Sequence, residues 1–310
     1  MTKGAAADII LADWGTSSLR LWAVDREAKV LDERRSSHGM GTLSRDGYAP
    51  ELQRHLSAMG VAPDTPVLIC GMAGAAQGWQ EAAYLDLPAD FASLADNITI
   101  ISGETRDIRI VPGIAQRDRD DPDVMRGEET ILHGLIHRGL RDGIVCLPGT
   151  HAKWAHIENG GLVGFRTMMT GEMFALLGHH SILRHSFTSD GFSAGDFIDG
   201  VREAYATPAR ALTSLFGLRA GPLLFGRDSP HAASRLSGLM IGAEIASCLD
   251  KADHGLHLAA TGEMARRYCE ALHALAISFD MVDAEDAVRT GLFELATGLW
   301  PERIAGGTSR

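Results

Sequence analysis

"ILADWGTSSLRLWAVD", residues 10–25, sets one acid, Asp13, at the end of an apolar run and follows it at once with Gly15, Thr16, Ser17 and Ser18. An aspartate at the end of a buried strand is costly unless it is paired, hydrogen-bonded or in use. The runs "LRLWAVD" and "KVLDERR" flank the turn "DREAK", so the stretch predicts strand, Gly-Thr loop, strand, turn, strand. The same order returns at residues 143–167, "GIVCLPGTHAKWAHIENGGLVGFRT", where a buried run, a Gly-Thr loop and a strand lead through an Asn-Gly-Gly turn to another strand. Two copies of one unit, starting near Ile9 and Ile144, predict a duplicated α/β chain divided into residues 1–140 and 141–310. At 310 residues there is enough chain for two cores.

Between the copies, "PVLICGMAGAAQGW" reads as a buried strand running into a glycine-rich loop, and "ITIISG" and "IRIVPG" as two more strands. "DPDVMRGEETILHGLIHRGL" has apolar residues from Val124 to Leu140 mostly at helical spacing and predicts a helix with Asp123 as its N-cap. After the second copy the chain turns helical: "TGEMFALLGHHSIL", "FIDGVREAY", "RALTSLFGL" and "RLSGLMIGAEIASCL" precede a strand, "LHLAAT". The helix "GEMARRYCEALHALA" and a last helix, "AEDAVRTGLFELATGLW", follow, and the last one is expected to pack back on the first domain.

A formal net charge of -11 without Lys/Arg clusters speaks against nucleic-acid or anionic-membrane partners, so an anionic ligand needs a local device. Cys70, Cys146, Cys248 and Cys269 are scattered, with no C-x-x-C pair, and read as reduced thiols. No run reaches 18 apolar residues and the N-terminus does not read as a signal peptide; the expected location is the cytoplasm. The Walker P-loop, the nucleophile elbow and H-E-x-x-H are all missing, and "GMGTLS" fails the dinucleotide pattern at its last glycine. What the Gly-Thr loops offer is glycine for close backbone approach, with N–H and hydroxyl donors suited to phosphate oxygens.

The motifs "ADWGTSSLR", "GMAGAAQGW", "VPG", "DVMRGEET", "CLPGTHAKW", "FRTMMTGEMFALL" and "LSGLMIGAE", taken in order from Asp8 to about Trp300, closely resemble those of the 2-dehydro-3-deoxygalactonokinases. That resemblance implies two actin-like (ribonuclease H-like) α/β domains with a ligand cleft between them. It also implies transfer of the ATP γ-phosphoryl group to the 6-hydroxyl of 2-dehydro-3-deoxy-D-galactonate. Under it, Asp13 orients Mg2+ through its water shell, the rival reading being an Asx-type turn satisfied by the loop donors. Gly15, Thr16, Ser17 and Ser18 meet phosphate, and Arg20 either joins them or pairs with an acid.

The second loop carries Leu147 where the first has Asp13, so a proton-accepting carboxylate must come from elsewhere. Glu128 and Glu129 of "RGEET" are the candidates, with Asp13 in reserve, although acids early in a helix also merely complement its dipole. Gly149, Thr150 and His151 form the second phosphate loop, and Lys153 is placed to neutralise charge on the transferred group, unless it is an ordinary strand residue. Thr261 and Gly262, at a strand end before a helix, are expected at the adenosine. For the sugar acid the candidates are Ser37, His38, Gly39, Gly71, Met72, Gly74, Gln77, Trp79, Arg126 and Arg166. His179 and His180 point apart on a helix and read as surface. The partners expected are ATP and a small sugar acid, with self-association neither required nor excluded. The rivals are a kinase for another sugar acid or ketose, and a non-catalytic actin-like nucleotide sensor.

Overall fold

The computed structural model describes residues 7–187, 191–226, 230–249 and 255–304. Its strands, in chain order, are β1 (Ile9–Trp14), β2 (Leu19–Val24), β3 (Val30–Ser36), β4 (Val67–Gly71), β5 (Tyr84–Asp86), β6 (Thr99–Ile100) and β7 (Ile108–Ile110). There follow β8 (Gly113–Arg117), β9 (Pro122–Met125), β10 (Gly143–Leu147), β11 (Ala152–Glu158), β12 (Gly161–Met168), β13 (Leu256–Ala260) and β14 (Asp280–Asp283). The first sheet has the order β3-β2-β1-β4-β7-β6, and the second β12-β11-β10-β13-β14. Counted within each copy, both sheets run third, second, first, fourth; the first then adds its sixth and fifth strands and the second its fifth. That shared order is the duplication announced by the two Gly-Thr loops.

β1 pairs antiparallel with β2 and parallel with β4. β10 likewise pairs parallel with β13. Every residue of β4 and β10 is buried, as expected of central strands covered on both faces. The chain forms two compact units, one of Met1–Arg141, Ile157–Gly164 and Ala284–Arg310, the other of Asp142–His156 and Phe165–Asp283. The unit boundary therefore does not fall at a single point in the sequence, since the last long helix, Ala284–Leu299, belongs to the first unit.

The first unit is built around Trp14, Leu19, Leu21, Tyr48, Leu52, Val67 and Ile69. The second is built around Cys146, Trp154, Phe197, Ile245, Leu258, Tyr268 and Leu272. Among the described residues no helix is long and apolar enough to cross a membrane. Cys70 and Cys146 are buried, Cys248 and Cys269 half-buried, and all four thiols are free.

Three local expectations are corrected. Asp123 is no N-cap: Pro122–Met125 is β9, paired antiparallel with β8, and the helix starts only at Glu128. The break falls at Gly127, whose φ of 111° no helix accommodates and which an L side chain rarely adopts. "ITIISG" contributes only the two residues of β6. β14, and the small β5-β8-β9 sheet, follow from pairing that the sequence pattern did not announce.

Where the helix Glu128–His137 crosses the helix Ala284–Leu299, the backbones meet through Gly134 and Gly291. A methyl on Gly291 would collide with the Thr130 carbonyl, and one on Gly134 with that of Ala287. Gly291→Ala is therefore expected to cost about 1–3 kcal/mol by overpacking, read as a fall in Tm of roughly 2–8 °C in thermal unfolding. An unchanged Tm would show that these helices can separate at little cost.

Candidate active site

The first site grows from the carboxyl ends of β1 and β4, where open parallel sheets bind ligands. The β1–β2 register places Asp13 directly opposite Arg20. Arg20 Nη2 donates to Asp13 Oδ2 at 2.5 Å, while its Nη1 donates to Glu285 Oε2 at 3.0 Å. Burial raises the Asp13 carboxyl above its ordinary value and the Arg20 charge works against that rise. Of the two readings of Arg20, the pairing with acids is the one realised in this structure. The Asx-turn reading of Asp13 is not, because its partner is a guanidinium and not the loop.

Beyond Asp13 the chain turns at once, with the Gly15 N–H donating to the Ser18 carbonyl at 2.9 Å. Thr16, Ser17 and Ser18 are exposed, and their hydroxyls make no hydrogen bond within the described chain, so they are available to a ligand. Residues 39–41 brace this loop from behind: the Met40 N–H donates to the Gly15 carbonyl at 3.0 Å and the Gly41 N–H to that of Thr16 at 2.8 Å. Gly39 is a supporting residue, buried where any side chain would strike the Thr16 carbonyl and the Ser18 nitrogen. Ser37 and His38 are exposed beside it, with His38 Nδ1 3.1 Å from Glu51 Oε1.

Gly71, at the end of β4, has a φ of 92° and lies so close to the Trp14 carbonyl that a Cβ would sit 2.7 Å from it. A Cβ built on Gly127 would lie 3.2 Å from the Gly71 Cα. The start of the helix Glu128–His137 is thereby brought to the strand ends beside Asp13. Glu129 is fully buried; its Oε2 accepts from the Gly127 N–H at 2.6 Å and its Oε1 from the Thr130 hydroxyl at 3.1 Å. Glu128 is half-buried and accepts from the Arg126 N–H at 3.1 Å.

Other candidates separate. Met72 is half-buried, and Gly74 is packed against Ile110, Ala82 and Arg126. Gln77 is exposed. Trp79 belongs to the core, its ring centroid 6.0 Å from Trp14 and 5.8 Å from Tyr48. Arg126 is buried, with its guanidinium 4.2 Å over the Tyr84 ring and Nη2 donating to the Ala82 carbonyl at 2.8 Å; its Nε and Nη1 have no partner. Arg166 is not part of this group. It lies in the second unit, where Nη1 donates to the Ser247 carbonyl at 2.8 Å.

In the second unit the loop of Gly149 and Thr150 follows β10, with Thr150 exposed. Gly171 packs directly on it, and the Glu172 N–H donates to the Thr150 carbonyl at 3.0 Å. His151 Nε2 sits 2.5 Å from Glu172 Oε2, and Lys153 is buried on β11. Below the loop Glu244, completely buried, accepts from Trp154 Nε1 at 2.8 Å, from the Tyr268 hydroxyl at 2.9 Å and from the Thr170 hydroxyl. Thr261 and Gly262 open the helix Gly262–Ala274, with open space around Gly262. His179 and His180 are exposed.

Comparison with known proteins decides the family. The family model described as "2-keto-3-deoxy-galactonokinase" matches residues 13–295. A protein of Rhizobium meliloti (strain 1021) named "Probable 2-dehydro-3-deoxygalactonokinase DgoK1" is 45% identical over 295 residues, which is 93% of this chain and 96% of the relative. The chain belongs to the 2-keto-3-deoxy-galactonokinase family.

The 2-dehydro-3-deoxygalactonokinase of Escherichia coli (strain K12) is 34% identical, over 94% of this chain and 98% of its own. A crystal structure of a Sinorhizobium meliloti protein put forward as a 2-dehydro-3-deoxygalactonokinase superposes with a TM-score of 0.89 at 44% identity, covering 94% of this chain and 99% of that one. Members of this kinase family are phosphotransferases with an alcohol group as acceptor, and the repeated sheet order is the actin-like α/β fold expected of them.

Three carboxylates of this kinase escaped the sequence reading: Glu285, which holds Arg20; Glu172, which meets His151; and Glu244. Their partners lie up to 265 residues away in sequence, so no local pattern could pair them. The motifs "FRTMMTGEMFALL" and "LSGLMIGAE", quoted for the resemblance, contain Glu172 and Glu244 without assigning them a role.

Within the unit, Glu129 has the feature best suited to proton transfer. Burial, and secondarily the neighbouring Glu128 charge, push its carboxyl up from 4.5 to about 7. A carboxyl raised in the folded state favours folding most below its unfolded value of 4.5, and that support is lost as pH rises through about 7. Glu129→Gln removes the buried charge while keeping an acceptor for the Gly127 N–H. Relative to wild type, the variant should gain resistance to urea between pH 5 and pH 8; a difference between the two proteins that stays constant with pH would contradict this titration.

Proposed function

We propose that this chain transfers the γ-phosphoryl group of ATP to the 6-hydroxyl of 2-dehydro-3-deoxy-D-galactonate, giving the 6-phosphate and ADP in D-galactonate breakdown in the cytoplasm. Supporting this are family membership over nearly the whole chain and, within the first unit, the pairing of an exposed hydroxyl loop with an ionisable carboxylate tuned near neutrality. The strongest single observation is Glu129, held at about 7 beside the strand ends that carry Asp13.

In this reading the substrate's 6-oxygen attacks the γ-phosphorus, the bond from that phosphorus to the β,γ-bridging oxygen breaks, ADP departs, and the hydroxyl proton passes to Glu129. Phosphoryl transfer depends chiefly on positioning and charge stabilisation, so the proton acceptor supplies only part of the acceleration. Gly15 and the hydroxyls of Thr16, Ser17 and Ser18 hold phosphate oxygens. Gly149, Thr150, His151 and Lys153 do so in the second unit, and Thr261 and Gly262 receive the adenosine.

Mg2+ fits the donors present. Asp13 is a hard oxygen ligand next to free hydroxyls, and among the described residues no three-residue cluster of acids, histidines or cysteines competes for a metal. When bound, the ion neutralises phosphate charge. Arg20 opposes the effect of burial on Asp13 and so favours the charged form a metal needs. The sugar-acid carboxylate is assigned to Arg126, with Ser37, His38, Gly71, Met72 and Gly74 around the sugar.

A panel of sugar acids and neutral sugars assayed with ATP and Mg2+ tests the substrate. Preference for 2-dehydro-3-deoxy-D-galactonate is expected, and turnover of neutral sugars alone would overturn the assignment. Asp13→Asn should lower kcat by about 100-fold or more while the sugar acid still binds. Wild-type kcat/KM should fall tenfold per pH unit below about 7, and Glu129→Gln should abolish that limb together with most of the activity. If Glu128→Gln has the larger effect, the proton acceptor is Glu128.

A further inference from the structure

The small sheet β5-β8-β9 lies wholly between β4 and the helix Glu128–His137, and among the described residues the second sheet has no such companion. What it brings together is Tyr84, Gly113 and Arg126. Tyr84 and Gly113 are register partners on β5 and β8, while β9, paired with β8, ends at Met125, so that Arg126 follows directly. The Tyr84 ring lies against Gly113, where an added Cβ would come within 2.7 Å of two ring carbons. Over the same ring, at 4.2 Å, stands the Arg126 guanidinium.

Arg126 is only 8% exposed, yet most of its hydrogen-bonding capacity is unmet. Nη2 donates to the Ala82 carbonyl at 2.8 Å, but Nε and Nη1 have no acceptor in the described chain. Glu128, the acid nearest in sequence, accepts from the Arg126 backbone N–H instead. A buried cation is costly unless it is paired, and unmet donors add to that cost. Nη2 has a second hydrogen, so one edge of the planar fork still offers two parallel N–H groups, the arrangement a carboxylate accepts. Tyr84 does not compete for those donors, since its hydroxyl makes no hydrogen bond in the described chain and its ring offers a face. The Arg126 charge also reaches Glu129, where it is the weakest of the influences holding that carboxyl down, so the two side chains belong to one cluster.

We infer that Tyr84 is a positioning residue: its ring, seated on Gly113, fixes the plane of the Arg126 guanidinium so that the free edge meets the carboxylate of the sugar acid. This role rests on the function proposed above, where Arg126 takes that carboxylate, and it gives the small sheet a part in choosing the substrate. Cation–π attraction acts through the ring and strengthens where water is excluded. Bidentate recognition is directional, so a guanidinium fixed in one plane binds a carboxylate better than one free to swing. A neutral sugar leaves the free edge unmet, which makes the same arrangement a filter for acids.

Isothermal titration of the full chain with 2-dehydro-3-deoxy-D-galactonate, run beside kinase assays, reads the effect. Tyr84→Leu should raise Kd and KM for the sugar acid about tenfold, with kcat changing less than KM and the KM for ATP unchanged. Tyr84→Phe keeps the ring and should stay within about twofold of wild type. A residue that only fills space would instead shift Tm and both KM values together. If Tyr84→Leu fails to fold, Tyr84→Met, which occupies the space beside Gly113 without a ring face, takes its place with the same expectation. Wild-type affinity in the variant without a ring overturns the inference, as does a loss in Tyr84→Phe equal to that in Tyr84→Leu, or a KM for ATP that rises by the same factor. A wild-type chain that binds the sugar acid without phosphorylating it removes the proposed reaction and leaves the role of Tyr84 to be decided by the Kd values. A wild-type chain that does not bind the sugar acid overturns both.

Discussion

A single guanidinium orders the first unit. Arg20 lies between Asp13 on the neighbouring strand and Glu285 at the start of the helix Ala284–Leu299, and Arg35 holds the second oxygen of Glu285 at 2.5 Å. Asp13 is taken partly out of water, which by itself would favour its neutral form. The Arg20 charge works against that shift, and the nearby Glu285 charge adds to it. The Asp13 carboxyl is thus balanced between burial and a guanidinium whose other partner, Glu285, lies 265 residues further along the chain. Removing one member of such a set leaves an uncompensated charge in a partly dry place, which costs more than the pair itself contributes.

The same helix also fixes the other carboxylate. Its Gly291 lets it lie directly on the helix that begins with Glu128 and Glu129, and Gly127 turns the chain so that this beginning comes against Gly71. Glu129 consequently loses water altogether, and its upward shift is a product of packing before it is a matter of chemistry. Two acids of one unit are pushed up by burial; at Asp13 the Arg20 charge is the main opposing influence, while at Glu129 backbone hydrogen bonds and, more weakly, the Arg126 charge oppose it. In the proposed mechanism Asp13, beside a guanidinium, takes the metal, and Glu129, held near neutrality, takes the proton.

Much of this was legible from the sequence because the fold is repeated. The Gly-Thr loops, the strand pairs around them and the buried runs of β4 and β10 all have short-range signatures, and the two sheets confirm them strand by strand. What escaped depended on distance or on a single backbone angle. Asp123 looked like a helix cap because Val124 continues an apolar spacing, yet Gly127 ends that continuity and Val124 projects from β9 at 50% exposure. Trp79 looked like a pocket wall because it ends a glycine-rich loop, yet its ring packs against both Trp14 and Tyr48 in the core. Arg20 was open between phosphate and acid, and only the position of Glu285 decides it.

The two copies have diverged where the chemistry would demand it. In the first, the loop acid stands at the ligand end of its strand; in the second, Leu147 occupies that place, and the buried acid, Glu244, sits beneath the loop with Trp154, Thr170 and Tyr268 as donors. Burial raises the Glu244 carboxyl while those hydrogen bonds pull it down, and its partners join β11 to the starts and faces of three helices. One copy thus spends its carboxylate on the ligand side and the other on its own framework. The second loop carries no acid of its own, although Glu172 stands beside His151; in the proposed mechanism its backbone donors and His151 meet the phosphate chain.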